Sequence, residues 1–566
     1  MRLDALFNSH DTGIYTPEFG AGDSENLESG GKTFSFQEVV AIMHGRHSIK
    51  FGGQFVTMPA GRTDAESGYY IYSTMPDFTA NVPDEAVFTY GVGPVPGDIN
   101  AGRFIVSNWR FGPFIQDDFK VSRNLVLNLG VRYDYFSVPK SGDHLYSRSD
   151  GGFGPIRPFD SIYNASRTNF SPRVGFNWSP RENGKTVING GFGQFYNPHS
   201  LFSTAMEVYR NGLNEPFRDI ASRQELINLG ITCCEIQTAT EPAVTGVGAL
   251  WTGSSLSEHY PDPYSLQWTL GVQRELAKGL VLESTYVGNH GVHGQMIRDA
   301  NQVDRVTGIR PVSGFGQFRW YDDSGWSTYE AWQNTLRKKT SHGLTFDVHY
   351  TWSRSMGNRD ADLLLSNGLK PQDNNNLRAE KGPLDFDRPQ MFNTDFIYEL
   401  PFARLVNGES AGKRLGLAGW QISGILGAGS GSPLNISESS SYNGQRPDLV
   451  SGVPVYLSNW KNTQAFLNRD AFSLVPIEPL SGATAGPGNL GRDAFRAPGS
   501  WNVDLTLAKT LALTERVKLQ VRADAFSALN HHYLSGIVTG LQSANFGQFT
   551  GVSGDRSMQL GARLSF

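Results

Sequence analysis

Ser557-Met558-Gln559-Leu560-Gly561-Ala562-Arg563-Leu564-Ser565-Phe566 stands at the C-terminal end of the sequence. At every second position the residue is apolar: Met558, Leu560, Ala562, Leu564 and Phe566. Between them lie Gln559, Gly561, Arg563 and Ser565, polar or small. Successive strand side chains point to opposite faces, so this stretch has one greasy and one wet face. A soluble sandwich has no need of such a strand running to an aromatic end. The last strand of a closed membrane barrel must pair with another strand, and its end sits in an aromatic interface belt. The stretch predicts an all-β fold, an antiparallel transmembrane β-barrel.

The same alternation recurs upstream. Leu125, Leu127, Leu129, Val131, Tyr133 and Tyr135 alternate with Asn128, Gly130, Arg132 and Asp134. Leu344, Phe346, Val348, Tyr350 and Trp352 alternate with Thr345, Asp347, His349, Thr351 and Ser353. Val517, Leu519, Val521, Ala523 and Ala525 alternate with Lys518, Gln520, Arg522 and Asp524. Most such runs approach the 9–11 residues of a tilted membrane-crossing strand.

Periodicity alone does not separate a sandwich from a barrel, but connection lengths do. Hairpins are expected near 33–57, 105–137, 170–196, 264–289, 328–355, 391–430 and 501–527, with a final strand at 557–566. Short turns join the strands of each pair, except for a longer one at 401–416. Long polar stretches at 59–104, 138–169, 197–263, 290–327, 357–390, 431–500 and 529–556 lie between the pairs. Alternating short and long connections are the pattern of periplasmic turns and external loops. The count is about 15 strands. Single-chain bacterial barrels have even numbers, and Met1-Arg2-Leu3-Asp4-Ala5-Leu6-Phe7-Asn8 lacks the apolar core of a secretory leader. The expectation is the C-terminal portion of a larger barrel over 33–566, preceded by an external-loop remnant at 1–32. Strands 33–43 and 557–566 would run in the same direction, so pairing them directly would be parallel.

Composition agrees with a β-rich membrane protein and excludes other classes. Of 566 residues, 64 are Gly, 12% are aromatic and 18% are charged. The mean hydropathy of −0.34 argues against a helical membrane protein; a barrel tolerates it because only alternate residues meet lipid. A formal net charge of −5 with no basic stripe argues against a nucleic-acid partner. The two cysteines, Cys233 and Cys234, are adjacent and cannot staple a fold.

Several strings together resemble the barrel of TonB-dependent outer-membrane transporters. They are Gly112-Pro113-Phe114-Ile115-Gln116-Asp117-Asp118-Phe119-Lys120 before Leu125-Val126-Leu127-Asn128-Leu129-Gly130-Val131-Arg132-Tyr133-Asp134, and Phe170-Ser171-Pro172-Arg173-Val174-Gly175-Phe176-Asn177-Trp178 before Gly191-Phe192-Gly193-Gln194-Phe195-Tyr196. Tyr264-Ser265-Leu266-Gln267-Trp268 with Tyr286-Val287-Gly288-Asn289-His290-Gly291 is similar to the Oar-like branch. So is Gly382-Pro383-Leu384-Asp385-Phe386-Asp387-Arg388-Pro389 before Tyr398-Glu399-Leu400-Pro401-Phe402. The resemblance covers roughly 33–566. It implies a 22-stranded barrel with a plug, a place in the outer membrane in contact with its lipid, and uptake of a substrate energised by TonB acting through the plug. No plug or TonB box is recognisable in this sequence. The strand ending on Phe566 resembles a signal for barrel-assembly machinery.

Nothing in the sequence looks catalytic, and no cofactor is expected. No nucleophile elbow is present, and the glycines at 91–93 and 427–431 lack the context of a phosphate loop. His290 and His293, like His531 and His532, have no third metal ligand nearby and read as polar loop residues. Asp385 and Asp387 with Asn374, Asn375 and Asn376 offer oxygens for a cation, but such residues more often cap turns and pair with arginines such as Arg388. Arg132, Asp134, Lys518, Arg522, Asp524 and Arg563 are the candidate lumen-facing residues, either in substrate contact or as a mixed-charge ladder that steadies the wall. The long loops, above all 197–263 and 431–500, are the expected ligand-contact surfaces. Besides uptake, a passive porin, a structural or adhesive barrel and a soluble exported glycan binder remain open.

Overall fold

A computed structural model of the chain describes residues 33–63, 103–141, 163–181, 183–199, 250–312, 315–359, 371–402, 416–438, 444–479, 484–514 and 516–566. Residues 79–80 and short strand pieces at 2–4, 18–20, 69–71, 85–89, 146–148, 156–158 and 217–220 are also described. Cys233-Cys234, the glycines at 91–93 and most of the turn at 401–416 lie outside these residues.

Fifteen long strands form one antiparallel sheet in chain order. They are β1 (Phe34–His44), β2 (His47–Thr63), β3 (Arg103–Lys120), β4 (Leu125–Tyr133), β5 (Phe170–Trp178), β6 (Thr186–Tyr196), β7 (Tyr264–Ala277) and β8 (Leu280–Asp299). There follow β9 (Phe315–Ser341), β10 (Leu344–Gly357), β11 (Gln390–Glu399), β12 (Trp420–Gly429), β13 (Ser500–Ala512), β14 (Lys518–Phe526) and β15 (Ser557–Ser565). Each pairs antiparallel with the next. Hairpin order follows from the short turns. At the β9–β10 turn His342 (φ 54°) and Gly343 (φ 80°) both have positive φ, as a two-residue turn matched to strand twist requires. A Cβ on Gly343 would sit 2.7 Å from the Glu399 carbonyl oxygen on β11, so glycine also lets the next strand approach.

The faces sort as the alternation demands. Leu270 and Trp352 are 54% and 58% exposed on the apolar face. On the other face the register aligns polar residues across strands: Thr335 with His349, Arg337 with Asp347, Thr506 with Asp524, and Gln520 with Arg563. β4 stops at Tyr133 rather than running on through Tyr135. Asp134 leaves the ladder, and Tyr135–Phe136 forms a short separate pairing with β3.

At the sheet's two ends, β1 pairs with β2 and β15 with β14, and no pairing joins β1 to β15 among the described residues. Their outer positions are accordingly open, with Phe34 67%, Met43 87% and Leu560 79% exposed.

The long-loop end is more ordered than a set of polar loops. β8 and β9 extend to Asp299 and from Phe315, well into the stretch 290–327. The segments between β12 and β13 and between β14 and β15 fold together around Ile436, Phe466, Leu467, Phe472, Leu490, Leu541 and Phe546, giving a cap with its own apolar core. Two arginines of the cap reach the segment between β10 and β11. Arg446 grips Glu380 with two hydrogen bonds, at 2.8 and 3.1 Å. Arg492 Nε donates to the Glu380 carbonyl at 2.9 Å, and its Nη2 to the Gly357 carbonyl at 2.9 Å. The second contact clamps the cap onto the end of β10.

Candidate functional site

Three places concentrate polar groups: the polar face of the wall, a cavity at the cap, and a buried knot at the loop base beside β6 and β7.

On the wall, the six residues singled out by sequence fall into two separated groups. Arg132 Nε donates to Asp134 Oδ1 at 2.7 Å at the top of β4. On β14, Arg522 Nε lies 3.1 Å from Asp524 Oδ2, and Asp524 Oδ1 accepts from the Thr506 hydroxyl at 2.7 Å. Arg563 stands across from Gln520, and Lys518 across from Ser565. Arg522 and Asp524 are two apart on β14, which side-chain alternation places on the same face, whereas Asp134 lies just past the end of β4 and accepts from Arg132 two residues back. Both pairs answer charge with charge inside the wall. The two groups are not brought together, because β5 to β13 intervene.

The cavity, about 810 Å³, lies where the ends of β8 and β9 meet residues 300–311, 373–375 and Pro487. Arg298 lies over the Trp320 ring at 4.4 Å and pairs with Asp322. Asp299 is answered by Arg310 at 3.1 Å. Asp304 accepts from the Thr307 N–H and hydroxyl, each at 2.8 Å, and these bonds hold its carboxyl below the usual range. Arg305 ties this segment to the cap through the carbonyls of Gly486 at 2.6 Å and Gln372 at 2.7 Å. Arg298 Nε, Trp320 Nε1 and Asn374 Oδ1 are buried without hydrogen-bond partners. Orphaned buried groups are rare and costly, and three belong to residues of this one wall. Sequence reasoning missed the cavity, because its residues come from three stretches far apart in the chain.

In the knot, His199 stacks on Tyr260 (3.9 Å, 15°), and Tyr163 meets both rings edge-on. His199 Nε2 is 3.7 Å from Asp262 Oδ1, and Asn169 Nδ2 donates to Asp262 Oδ2 at 2.7 Å. Burial pushes His199 down to about 4 and Asp262 up to about 6; the low-dielectric site disfavours the charged form of each.

Of the other histidines singled out by sequence, three have partners, while His290 Nδ1 is buried without a hydrogen-bond partner. His293 pairs with Asp323 at 2.8 Å. His531 stacks on Trp501 at 4.0 Å, and His532 meets Asp555 at 3.2 Å. The oxygens proposed for a cation are not gathered: Asp387 accepts from the Ser355 N–H at 2.5 Å and from Arg496, while Asn374 donates to the Asp299 carbonyl.

Residues 6–559 match the outer membrane beta barrel domain family. The chain belongs to that family. It is an outer-membrane protein. It is 26% identical over 396 residues to the TonB-dependent transporter Oar of Myxococcus xanthus, a match covering 64% of this chain and 31% of Oar. Its fold is similar to that of the outer membrane transporter YddB from Escherichia coli, with a TM-score of 0.53 and 13% identity over 94% of this chain and 54% of YddB. The chain thus spans about a third and about half of these two proteins.

Proposed function

We propose that this barrel is the wall and outer cap of a transporter that takes up a substrate from outside the cell with energy supplied by TonB. The observation that carries the reading is the similarity to Oar, which extends across 64% of the chain. The cap supports it: the long-loop end carries a folded body with a cavity and orphaned polar groups, the kind of rigid surface on which recognition is built. The partners that follow are outer-membrane lipid, the barrel-assembly machinery, TonB and a substrate. Catalysis has no part in this reading.

The test is uptake in cells lacking the full-length protein. Defined mixtures of oligosaccharides, peptides and metal chelates are supplied, and depletion of each from the medium is followed. Loss of one class on deletion, reproduced when TonB is inactivated, is the expected result. Loss on deletion that TonB inactivation does not reproduce, together with steady conductance in planar bilayers, would replace the reading with a passive pore.

A further inference from the structure

We propose that Asp347, His349 and Asp395 form a binding site for a divalent transition-metal ion on the polar face of the barrel, bridging β10 and β11. Asp347 and His349 are two apart on β10, so they share a face. Asp395 lies directly across from Asp347 in the antiparallel pair with β11, which brings it to that face as well. Each residue offers one ligand atom, and the three atoms lie within 4.8 Å of one another. Bonds of about 2.1 Å to a common ion need ligand atoms roughly 3.4 Å apart, a gap that small side-chain rotations close.

The charges point the same way. Two carboxylates directly opposite each other in a sheet are destabilising unless something positive stands between them. Arg337 Nε reaches Asp347 from β9, at 3.1 and 3.3 Å to its two oxygens. Asp395 has no hydrogen-bond or ion-pair partner among the described residues, so one negative charge of the pair is left over. The groups behind the ligands are also in place. The Thr335 hydroxyl is 3.1 Å from His349 Nδ1 and holds one edge of the imidazole, and Arg337 orients the Asp347 carboxylate. Metal ligands are characteristically held by such partners.

The donor set selects the ion. One imidazole with two carboxylates suits zinc, manganese or cobalt and leaves coordination positions open to the barrel interior. Calcium wants six to eight oxygens, which these residues do not supply. The proposal is independent of the direction or energy source of transport.

The experiment uses the chain purified without a histidine tag in detergent and stripped of metal. It is titrated with Zn²⁺ by calorimetry and with Co²⁺ by visible absorption. One equivalent is expected to bind. Asp395→Asn and His349→Ala should each weaken binding at least about 10-fold, and Thr335→Val about 10- to 100-fold. His293→Ala should leave it unchanged. Gel mobility with and without heating checks that every variant folds, and Asp395→Asn, which keeps the side chain's size, answers the question if His349→Ala fails that check. Binding that survives both ligand substitutions would overturn the proposal. So would a dissociation constant weaker than about 1 mM, the result expected if Arg337 alone satisfies the cluster.

Discussion

Leu270→Arg against Thr269→Arg tests which face of the sheet meets lipid. Leu270 is 54% exposed on the apolar face of β7, between Gly190 of β6 and Tyr286 of β8. It stands eight residues before the tight turn at Lys278–Gly279 that leads into β8. A strand tilted by about 45° and rising about 3.4 Å per residue climbs roughly 19 Å over that distance, which puts Leu270 within an apolar band about 25 Å tall. That height lies between the midplane, where an arginine costs about 2–4 kcal/mol, and the edge of the band, where it costs about 0–1 kcal/mol; a cost of about 1–3 kcal/mol lowers the folded-to-unfolded ratio roughly 5- to 150-fold. Thr269 is its immediate neighbour on the polar face and is exposed there. An arginine at 269 meets water and should cost well under about 1 kcal/mol. The assay is a urea titration of the chain folded into phospholipid vesicles, reading the folded band by its heat-modifiable gel mobility. Equal loss from the two substitutions, or a larger loss from Thr269→Arg, would refute the assignment of faces.

Glu380→Gln should loosen the cap without unfolding the barrel. Removing one partner of a buried pair costs about 3–5 kcal/mol, and both side chains are only 3% exposed, so trypsin should cut within 431–500 while the heat-modifiable core persists. The knot at His199 should show compensating pH dependences. His199, lowered to about 4, loses stability as pH falls from about 6.5 to 4; Asp262, raised to about 6, loses it as pH rises from about 4 to 6. Melting curves should therefore show His199→Gln gaining stability on acidification from pH 7 to 4 and Asp262→Asn losing it, each by roughly 3 kcal/mol relative to the unmodified chain; parallel curves for all three proteins would show that the knot does not titrate this way. Deleting Phe566, 93% exposed at the end of β15, should lower the folded amount in the outer membrane of cells making the full-length protein, as judged by the heat-modifiable band.

The wall was legible because its physics is local. Leu344 to Trp352 needs only its own alternation to be read as a strand, and a two-residue turn such as His342-Gly343 fixes its partner. The cap was not legible for the opposite reason. Phe466, Leu467 and Phe472 show no period, and they are buried by Leu541 and Phe546 from a different loop. Composition alone made both segments look like polar connections. The 27 residues of β9 were also underestimated, because Asp322-Asp323-Ser324-Gly325 reads as loop until β8 pairs with Asp322 and Gly325, and Phe315 and Phe318 are paired by the distant strand Leu250–Leu256. Asp347 and His349 were visible as same-face polar residues. That Asp395 stands beside them depends on the register of β10 and β11, which no single-strand pattern states.

The arrangement of charge separates structural from functional polarity. Arg132 with Asp134 and Arg522 with Asp524 are each two apart in the chain, so each pair carries its own counterion and needs no other strand to be neutralised. Such pairs are exposed to solvent to different degrees and contribute little stability each, but they leave no charge seeking a partner. At the cap the pairing runs between segments: Arg446 and Arg492 reach Glu380 and the Gly357 carbonyl, and Arg305 from the β8–β9 connection reaches the carbonyls of Gly486 and Gln372. Groups without partners therefore carry the information about ligands. Among the described residues these include single atoms around the cavity, Arg298 Nε, Trp320 Nε1 and Asn374 Oδ1, and the carboxylate of Asp395 opposite Asp347. A ligand that satisfies them gains from bonds the folded chain cannot make for itself, so substitutions at these positions should change binding more than those at the self-paired charges of the wall.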